Sequence, residues 1–192
     1  YPIMKIARKY RLEVLEDSCE TMFVSYKGRP TGSRGDIACF STYTAHLVVT
    51  GVGGLALTNN SKYALVMKSM VNHGRDSIYL NIDDDDDLKN DDERFRMAHR
   101  RFSFVRMGHS HRLTELEGAI GLAELTGWRE NIRKRQQNAK ILIEGLMKYQ
   151  DYVQLPQWPD HAEHAFMMFP IVIRRKEVRR DDLITYLERH GV

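Results

Sequence analysis

Residues able to do chemistry follow one another between positions 17 and 46. Glu16 and Asp17 end a strand-like segment and Glu20 follows three residues later. Ser41 opens a run of hydroxyl residues, and His46 is the first histidine of the chain. A carboxylate can pair with a protonated nitrogen, a small hydroxyl can bind a phosphate oxygen, and an imidazole can transfer protons near neutral pH. The run of hydroxyls and glycines after residue 41 therefore predicts an anion-binding site.

The elements that must position these residues are predicted to be strands of an α/β sheet. Apolar residues at Ile37–Ser41 and at 55–58 predict two strands, separated by the hydroxyl run and a glycine turn. An amphipathic helix over Pro2–Tyr10 and an alternating strand over 11–17 precede them. In such a sheet the functional residues lie at the carboxyl ends of strands, where Asp17 and Ser41 stand.

The second half of the chain is predicted to be mainly helical. Helices are expected over 62–73, from residue 113 to 125, over 128–149 and over 181–190, with a strand over 165–174. The predicted inward side chains are Ala64, Leu65, Met67 and Val71, then Leu113, Leu116, Ala119, Ile120, Ala123 and Leu125, then Ile132, Ile141, Leu142 and Leu146. A boundary near Gly127 would divide the chain into 1–127 and 128–192.

The acidic segment 83–101 contains five consecutive aspartates and is interpreted as a solvated, disordered excursion. Its spacing lacks the Asp-x-Asp-x-Asp-Gly pattern of a calcium loop, and we expect no metal site.

Composition excludes several classes of protein. With 29 Lys and Arg against 26 Asp and Glu, the formal charge of +3 is too close to balance to indicate a nucleic-acid partner. No apolar run is long enough to span a membrane, and no signal segment opens the chain, so a cytoplasmic protein is expected. Cys19 and Cys39 lack metal-ligand spacing and are expected to be buried, reduced thiols.

Four blocks in order resemble the DegT/DnrJ/EryC1/StrS family of pyridoxal-phosphate enzymes, which act on nucleotide-linked keto sugars. The matching text is VLEDSCETMFVSYKGRPTGSRGDIACFSTYTAH, TGVGGLALTNN, VNHGRD and GHSHRLTELEGAIGLAEL. The resemblance implies the type I aminotransferase fold, with a mostly parallel sheet flanked by helices, a large cofactor-binding domain over 1–127, and an interdomain helix and part of a smaller α+β domain over 128–192. It also implies a homodimer, and a chain that is the middle of a longer protein.

The resemblance assigns roles to individual residues. Asp17 would pair with the pyridine nitrogen of the cofactor, and Ser41 would bind its phosphate. Glu20 stands where the family usually has Gln or His beside the ring. Ser110 stands where an Asn usually reaches the neighbouring subunit's phosphate, and Val52 replaces the usual Glu of the glycine turn.

The largest departure from the family pattern is His46, which stands where the aminotransferases have a lysine bound to the cofactor. Imidazole cannot form that bond, and the sugar 3-dehydratases of the family resemble this chain in having histidine there. The resemblance therefore implies an elimination that uses pyridoxamine phosphate, with L-glutamate as amino donor. A sugar aminotransferase and a noncatalytic family member are the alternatives.

Overall fold

The computed structural model describes residues 1–76, 91–100 and 102–192, with the side chains of Glu93 and Met97 excepted. Its helices are α1 Pro2–Tyr10, α2 Ser61–Val71, α3 Asp91–Arg100, α4 Glu115–Leu125, α5 Trp128–Leu146 with a 3₁₀ turn at Met147–Tyr149, and α6 Arg180–Arg189. Its strands are β1 Leu15–Asp17, β2 Ser25–Tyr26, β3 Arg29–Pro30, β4 Ile37–Ser41, β5 Gly54–Leu57, β6 Val153–Gln154 and β7 Val172–Ile173.

A three-stranded sheet in the order β1-β4-β5 carries the residues of interest. β1 and β4 run parallel, with Asp17 opposite Cys39, and β4 and β5 run antiparallel, with Ser41 opposite Gly54. Because parallel strands end at the same edge of a sheet, Asp17 and Ser41 leave the sheet on one side. The predicted strand–turn–strand arrangement is thus confirmed.

Glu16 ties β1 to the loop that leads into β4. Its carboxylate accepts backbone N–H groups of Gly32 at 2.6 Å, Arg34 at 3.0 Å and Gly35 at 3.0 Å. Burial would raise the pKa of Glu16, but these hydrogen bonds and the Arg34 charge outweigh it and lower the pKa below its ordinary value. The anchor fixes the approach of β4 to β1, and hence the distance between Asp17 and Ser41.

The main hydrophobic cluster joins the sheet region to α5. It contains Met22, Val24, Leu47, Val48, Ile132 and Ala165. Leu47 and Val48 directly follow His46, and Ile132 lies on α5, so burial of these side chains holds the histidine loop against the helix. Phe23 stacks on Trp128 at 4.3 Å between ring centroids and extends this contact.

Three predictions about secondary structure are corrected. Residues 91–100, interpreted as disordered, form α3, while 83–90 and 101 lie outside the described residues. The strand expected over 165–174 is confined to Val172–Ile173, because Ala165 and Phe166 are buried through irregular backbone and Phe166 has φ 48°. The strand expected over 11–17 begins at Leu15.

Several apolar side chains predicted to face inward are exposed in the described structure. Leu116 and Ile120 of α4 are 70% and 44% exposed, and Ile141 and Leu142 of α5 are 59% and 44% exposed. Helical spacing identifies a shared face but not the element that covers it. Two side chains of α5 are buried: Ile132, which was predicted to face inward, and Ala139, which was not.

Helix starts and ends agree more closely with the sequence. α4 begins with a capping box in which Thr114 and Glu117 bond reciprocally, and Asn60 caps α2 through its side chain. None of the described helices has the length and apolar character needed to cross a membrane.

Gly127 separates α4 from α5, at the predicted boundary between 1–127 and 128–192. The division into two domains stays a prediction.

Candidate active site

The carboxyl ends of β1 and β4 bring an exposed carboxylate and a hydroxyl to one edge of the sheet. Asp17 is the last residue of β1, and Ser41 is the last residue of β4. The Ser41 hydroxyl accepts the backbone N–H of Tyr43 at 3.2 Å. Its own proton therefore remains available to donate to an anion.

His46 is carried to the same edge by the loop after β4. Its backbone N–H donates to Tyr43 O at 2.9 Å, which folds the loop into a turn. Its ring Nδ1 lies 3.1 Å from the carbonyl oxygen of Cys19, two residues after Asp17. Because a carbonyl oxygen can only accept, Nδ1 donates in this hydrogen bond, which leaves Nε2 as the ring nitrogen available to exchange a proton.

Asp17 is held in the ionised form. Hydrogen bonds from the Cys19 side chain and from its backbone N–H at 3.2 Å, together with the nearby His46, lower the pKa of Asp17 below its ordinary value. The Cys19 thiol responds in the opposite direction: burial, then the hydrogen bond with Asp17, raises its pKa to about 11. Cys19 is thus a neutral hydrogen-bond donor here and a poor nucleophile.

A buried pair of threonines closes the loop that carries His46. The Thr42 and Thr50 hydroxyl oxygens lie 2.7 Å apart, and both residues are buried. Thr50 also donates its backbone N–H to Thr42 O at 2.9 Å and its hydroxyl to Val52 O at 2.8 Å. We call this arrangement the Thr42–Thr50 clasp. It was not singled out in the sequence, where only Thr42 belongs to the hydroxyl run.

The glycine turn lets β5 return close to β4. A Cβ on Gly53, which has φ 132°, would lie 2.6 Å from a Leu113 methyl carbon and 3.0 Å from the Thr42 hydroxyl. A Cβ on Gly54 would lie 2.6 Å from Phe40 O. Glycine is therefore required sterically at both positions. The side chain at Val52, where the resemblance led us to expect Glu, is exposed.

Glu20 and Ser110 have no described contact with the Asp17 or Ser41 side chains. Glu20 is exposed, and its charge acts on Cys19 and on His164. Ser110 is also exposed and pairs through its backbone with Asn72, whose side chain receives a hydrogen bond from Arg112 at 2.7 Å. The contacts described for Ser110 do not join it to Asp17 or Ser41 of the same chain.

An open cleft of about 600 Å³ lies between the His46 loop and α5. Thr44, Ala45, His46, Leu47 and Val49 line one side. The other side is lined by Glu124 and by four polar residues of α5, Asn131, Lys134, Arg135 and Asn138. The polar character of α5 was recognised in the sequence, but its direction toward His46 was not, because helix periodicity does not say which neighbour a face meets. Within the described ranges, no three Asp, Glu, His or Cys side chains converge as a metal site.

Comparison with known proteins gives one family and several relatives. The model of the DegT/DnrJ/EryC1/StrS aminotransferase family matches residues 2–192. GDP-perosamine synthase of Caulobacter vibrioides is 28% identical over 192 residues, which are 100% of this chain and 46% of that protein. GDP-4-keto-6-deoxy-D-mannose 3-dehydratase of Escherichia coli O55:H7 is 26% identical over 191 residues, 99% of this chain and 47% of that protein.

The fold matches solved structures at similar coverage. A mutant of GDP-4-keto-6-deoxymannose-3-dehydratase with bound GDP-perosamine superposes with a TM-score of 0.80 at 26% identity, over 99% of this chain and 48% of that chain. The described α/β arrangement is therefore the fold of these sugar-modifying enzymes. The chain spans just under half the length of the curated relatives it matches.

Proposed function

Because the chain belongs to the DegT/DnrJ/EryC1/StrS aminotransferase family, we propose that it works with pyridoxal or pyridoxamine 5'-phosphate on a nucleotide-linked keto-deoxy sugar, by a 3-dehydratase-type elimination. The observation that carries this proposal is His46, an imidazole with a free Nε2 where the family's aminotransferases have a lysine amine. L-Glutamate is the proposed amino donor.

The residues at the sheet edge fit this cofactor. Asp17 is an exposed, ionised carboxylate suited to a protonated pyridine nitrogen, and Ser41 has a hydroxyl proton to give a phosphate oxygen. Glu20 is proposed beside the ring and its phenolic oxygen. When bound, the cofactor supplies an electron sink that makes loss of a neighbouring proton and hydroxyl possible.

His46 is the proposed acid and base. Its Nδ1–H is committed to the Cys19 carbonyl, which fixes the ring plane and leaves Nε2 to accept a proton from carbon. The imidazolium so formed would donate from Nε2 to the departing sugar hydroxyl.

The Thr42–Thr50 clasp is proposed to hold His46 in position. Thr50→Val removes the hydroxyl bonds to Thr42 and Val52 at constant shape. We expect kcat to fall about tenfold with little change in KM, and the free energy of unfolding to fall by about 1 kcal/mol. Steady-state kinetics and thermal unfolding measure both effects.

Thr50→Ser keeps the hydroxyl and should recover most of the lost kcat. Thr58→Val is the matched control, because Thr58 also donates its hydroxyl to a backbone oxygen, Asp36 O at 2.6 Å, at the far end of the same hairpin. Equal kinetic losses at Thr50 and Thr58 would mean that the clasp contributes stability alone.

A sugar aminotransferase is the second candidate, because relatives of this chain include GDP-perosamine synthases. The amino transfer of that class uses the lysine that His46 replaces, which favours elimination. A noncatalytic family member is the third candidate. The ionised Asp17 and the available Ser41 hydroxyl indicate that the cofactor site is retained, which argues against a noncatalytic protein.

A homodimer is part of the proposal. The segment before Ser110 exposes large apolar side chains, with Phe102 69%, Phe104 56% and Met107 93% exposed. Such a surface is typical of a protein interface. In the proposed dimer Ser110 reaches the phosphate bound by the neighbouring subunit.

An absorbance titration of the full-length protein tests the proposed function. We expect added pyridoxal phosphate to bind, and L-glutamate then to convert the aldehyde band to that of the amine form. Borohydride should trap no lysine adduct. A trapped adduct would favour the aminotransferase, and absence of binding would favour the noncatalytic reading.

A further inference from the structure

The face of α5 that lines the cleft beside His46 is polar. Asn131, Lys134, Arg135 and Asn138 stand at positions i, i+3, i+4 and i+7, the spacing of one helix face, and all four line the cleft that His46 also lines. The buried apolar residues of the helix, Ile132 and Ala139, occupy the adjacent face. Asn131, Lys134 and Asn138 are exposed and Arg135 is half-buried, so their donors open onto the cleft and are accessible to a ligand.

The two cations of this face keep their charge available to a ligand. Arg135 donates from Nη1 to the carbonyl oxygens of Phe166 and Met167, both at 3.3 Å, which orients the guanidinium without neutralising it. Lys134 lies 3.7 Å from Glu130, and both oxygens of that carboxylate already accept hydrogen bonds from Arg133 at 2.7 Å. Among the described residues lining the cleft, Glu124 is the one carboxylate.

We propose that this face binds the diphosphate of the nucleotide-linked sugar, an inference that rests on the proposed function. Lysine, arginine and amide N–H groups are the donors that phosphoryl oxygens accept best. The reacting carbons of the sugar must reach His46, and the diphosphate is attached to the anomeric carbon of the same ring. The cleft begins at His46 and continues along α5, so one substrate can fill both positions.

The extent of the face favours a diphosphate over a single carboxylate. From Asn131 to Asn138 the helix rises by about 10 Å. Two cations and two amides over that length match a dianionic linkage with many acceptor oxygens, whereas the carboxylate of an amino donor would be satisfied by Arg135 alone.

Lys134→Gln in the full-length protein tests the assignment. Lys134 is 64% exposed, so the substitution should leave the fold intact. We expect the affinity for GDP, UDP or dTDP, whichever binds the unmodified protein most tightly in calorimetry, to fall about tenfold. Lys140→Gln is the matched control, because Lys140 also lies on α5, is 76% exposed and pairs with Glu144 at 3.9 Å, but lines a different cleft.

The assignment would be overturned by unchanged nucleotide affinity in Lys134→Gln, by an equal loss of nucleotide affinity in Lys140→Gln, or by a loss of affinity confined to L-glutamate. Binding of none of the three nucleotides by the unmodified protein would also overturn it. Conversion of the cofactor band by L-glutamate is measured without nucleotide. Failure of the diphosphate assignment is therefore distinguishable from failure of the proposed function.

Discussion

His46→Asn is expected to lower kcat by about 10³-fold while cofactor binding stays unchanged. The asparagine amide can still donate a hydrogen bond toward the Cys19 carbonyl, but it has no nitrogen able to accept a proton near neutral pH. A loss of kcat of this size is expected when a general base that acts in the rate-limiting proton transfer is removed. Single-turnover kinetics with the amine form of the cofactor and a keto-sugar substrate measure it.

His190→Asn is the matched control for this substitution. The His190 ring also places Nδ1 near a backbone carbonyl, Tyr186 O at 2.7 Å, but it lies on the last turn of the structure after α6. Its replacement should leave kcat unaltered. Turnover retained in His46→Asn would remove His46 from the mechanism and would favour a different proton carrier.

Asp17→Asn is expected to lower kcat by about 10²-fold or more and to weaken cofactor binding, since the carboxylate that keeps the ring nitrogen protonated is lost. The amide oxygen can keep the hydrogen bond from Cys19 N–H, so the turn after β1 should survive. The absorbance of the bound cofactor and kcat report the two effects separately.

Asp36→Asn is a suitable control for Asp17→Asn. Asp36 is likewise an exposed aspartate that accepts a backbone N–H, from Val14 at 2.8 Å, but it precedes β4 instead of ending β1. A loss of kcat in Asp36→Asn as large as that in Asp17→Asn would show that any aspartate of the sheet matters equally, and would contradict the assigned role.

The lowered pKa of Asp17 also predicts the direction of its pH dependence. In the folded chain Asp17 holds its proton less tightly than in the unfolded chain, whose ordinary value is 3.8. Its contribution to stability is therefore present above that value and is lost as the pH falls through the lower folded pKa. Between pH 5 and 8 Asp17 stays ionised, and changes of activity in that range should come from other groups.

Much of the local structure was determined by the sequence itself. α1, β4, α6 and the cap at Thr114 follow from residue spacing and from turn and cap chemistry, which act over a few neighbouring residues. The run of hydroxyls and glycines after β4 indicated an anion-binding site, whereas the roles of Asp17, Ser41 and His46 came from the family resemblance, which rested on four sequence blocks in order.

Tertiary contacts decided what local rules do not specify. The proximity of His46 to the Cys19 carbonyl, and with it the free Nε2, depends on parallel pairing of β1 with β4 and on burial of Leu47 and Val48 against α5. Likewise Leu116 and Ile141 had the spacing of a buried face yet are exposed, whereas the polar face at Lys134 turns to the cleft. Periodicity groups side chains on a face, but only the packing of distant segments determines which face is covered and which is left to bind a ligand.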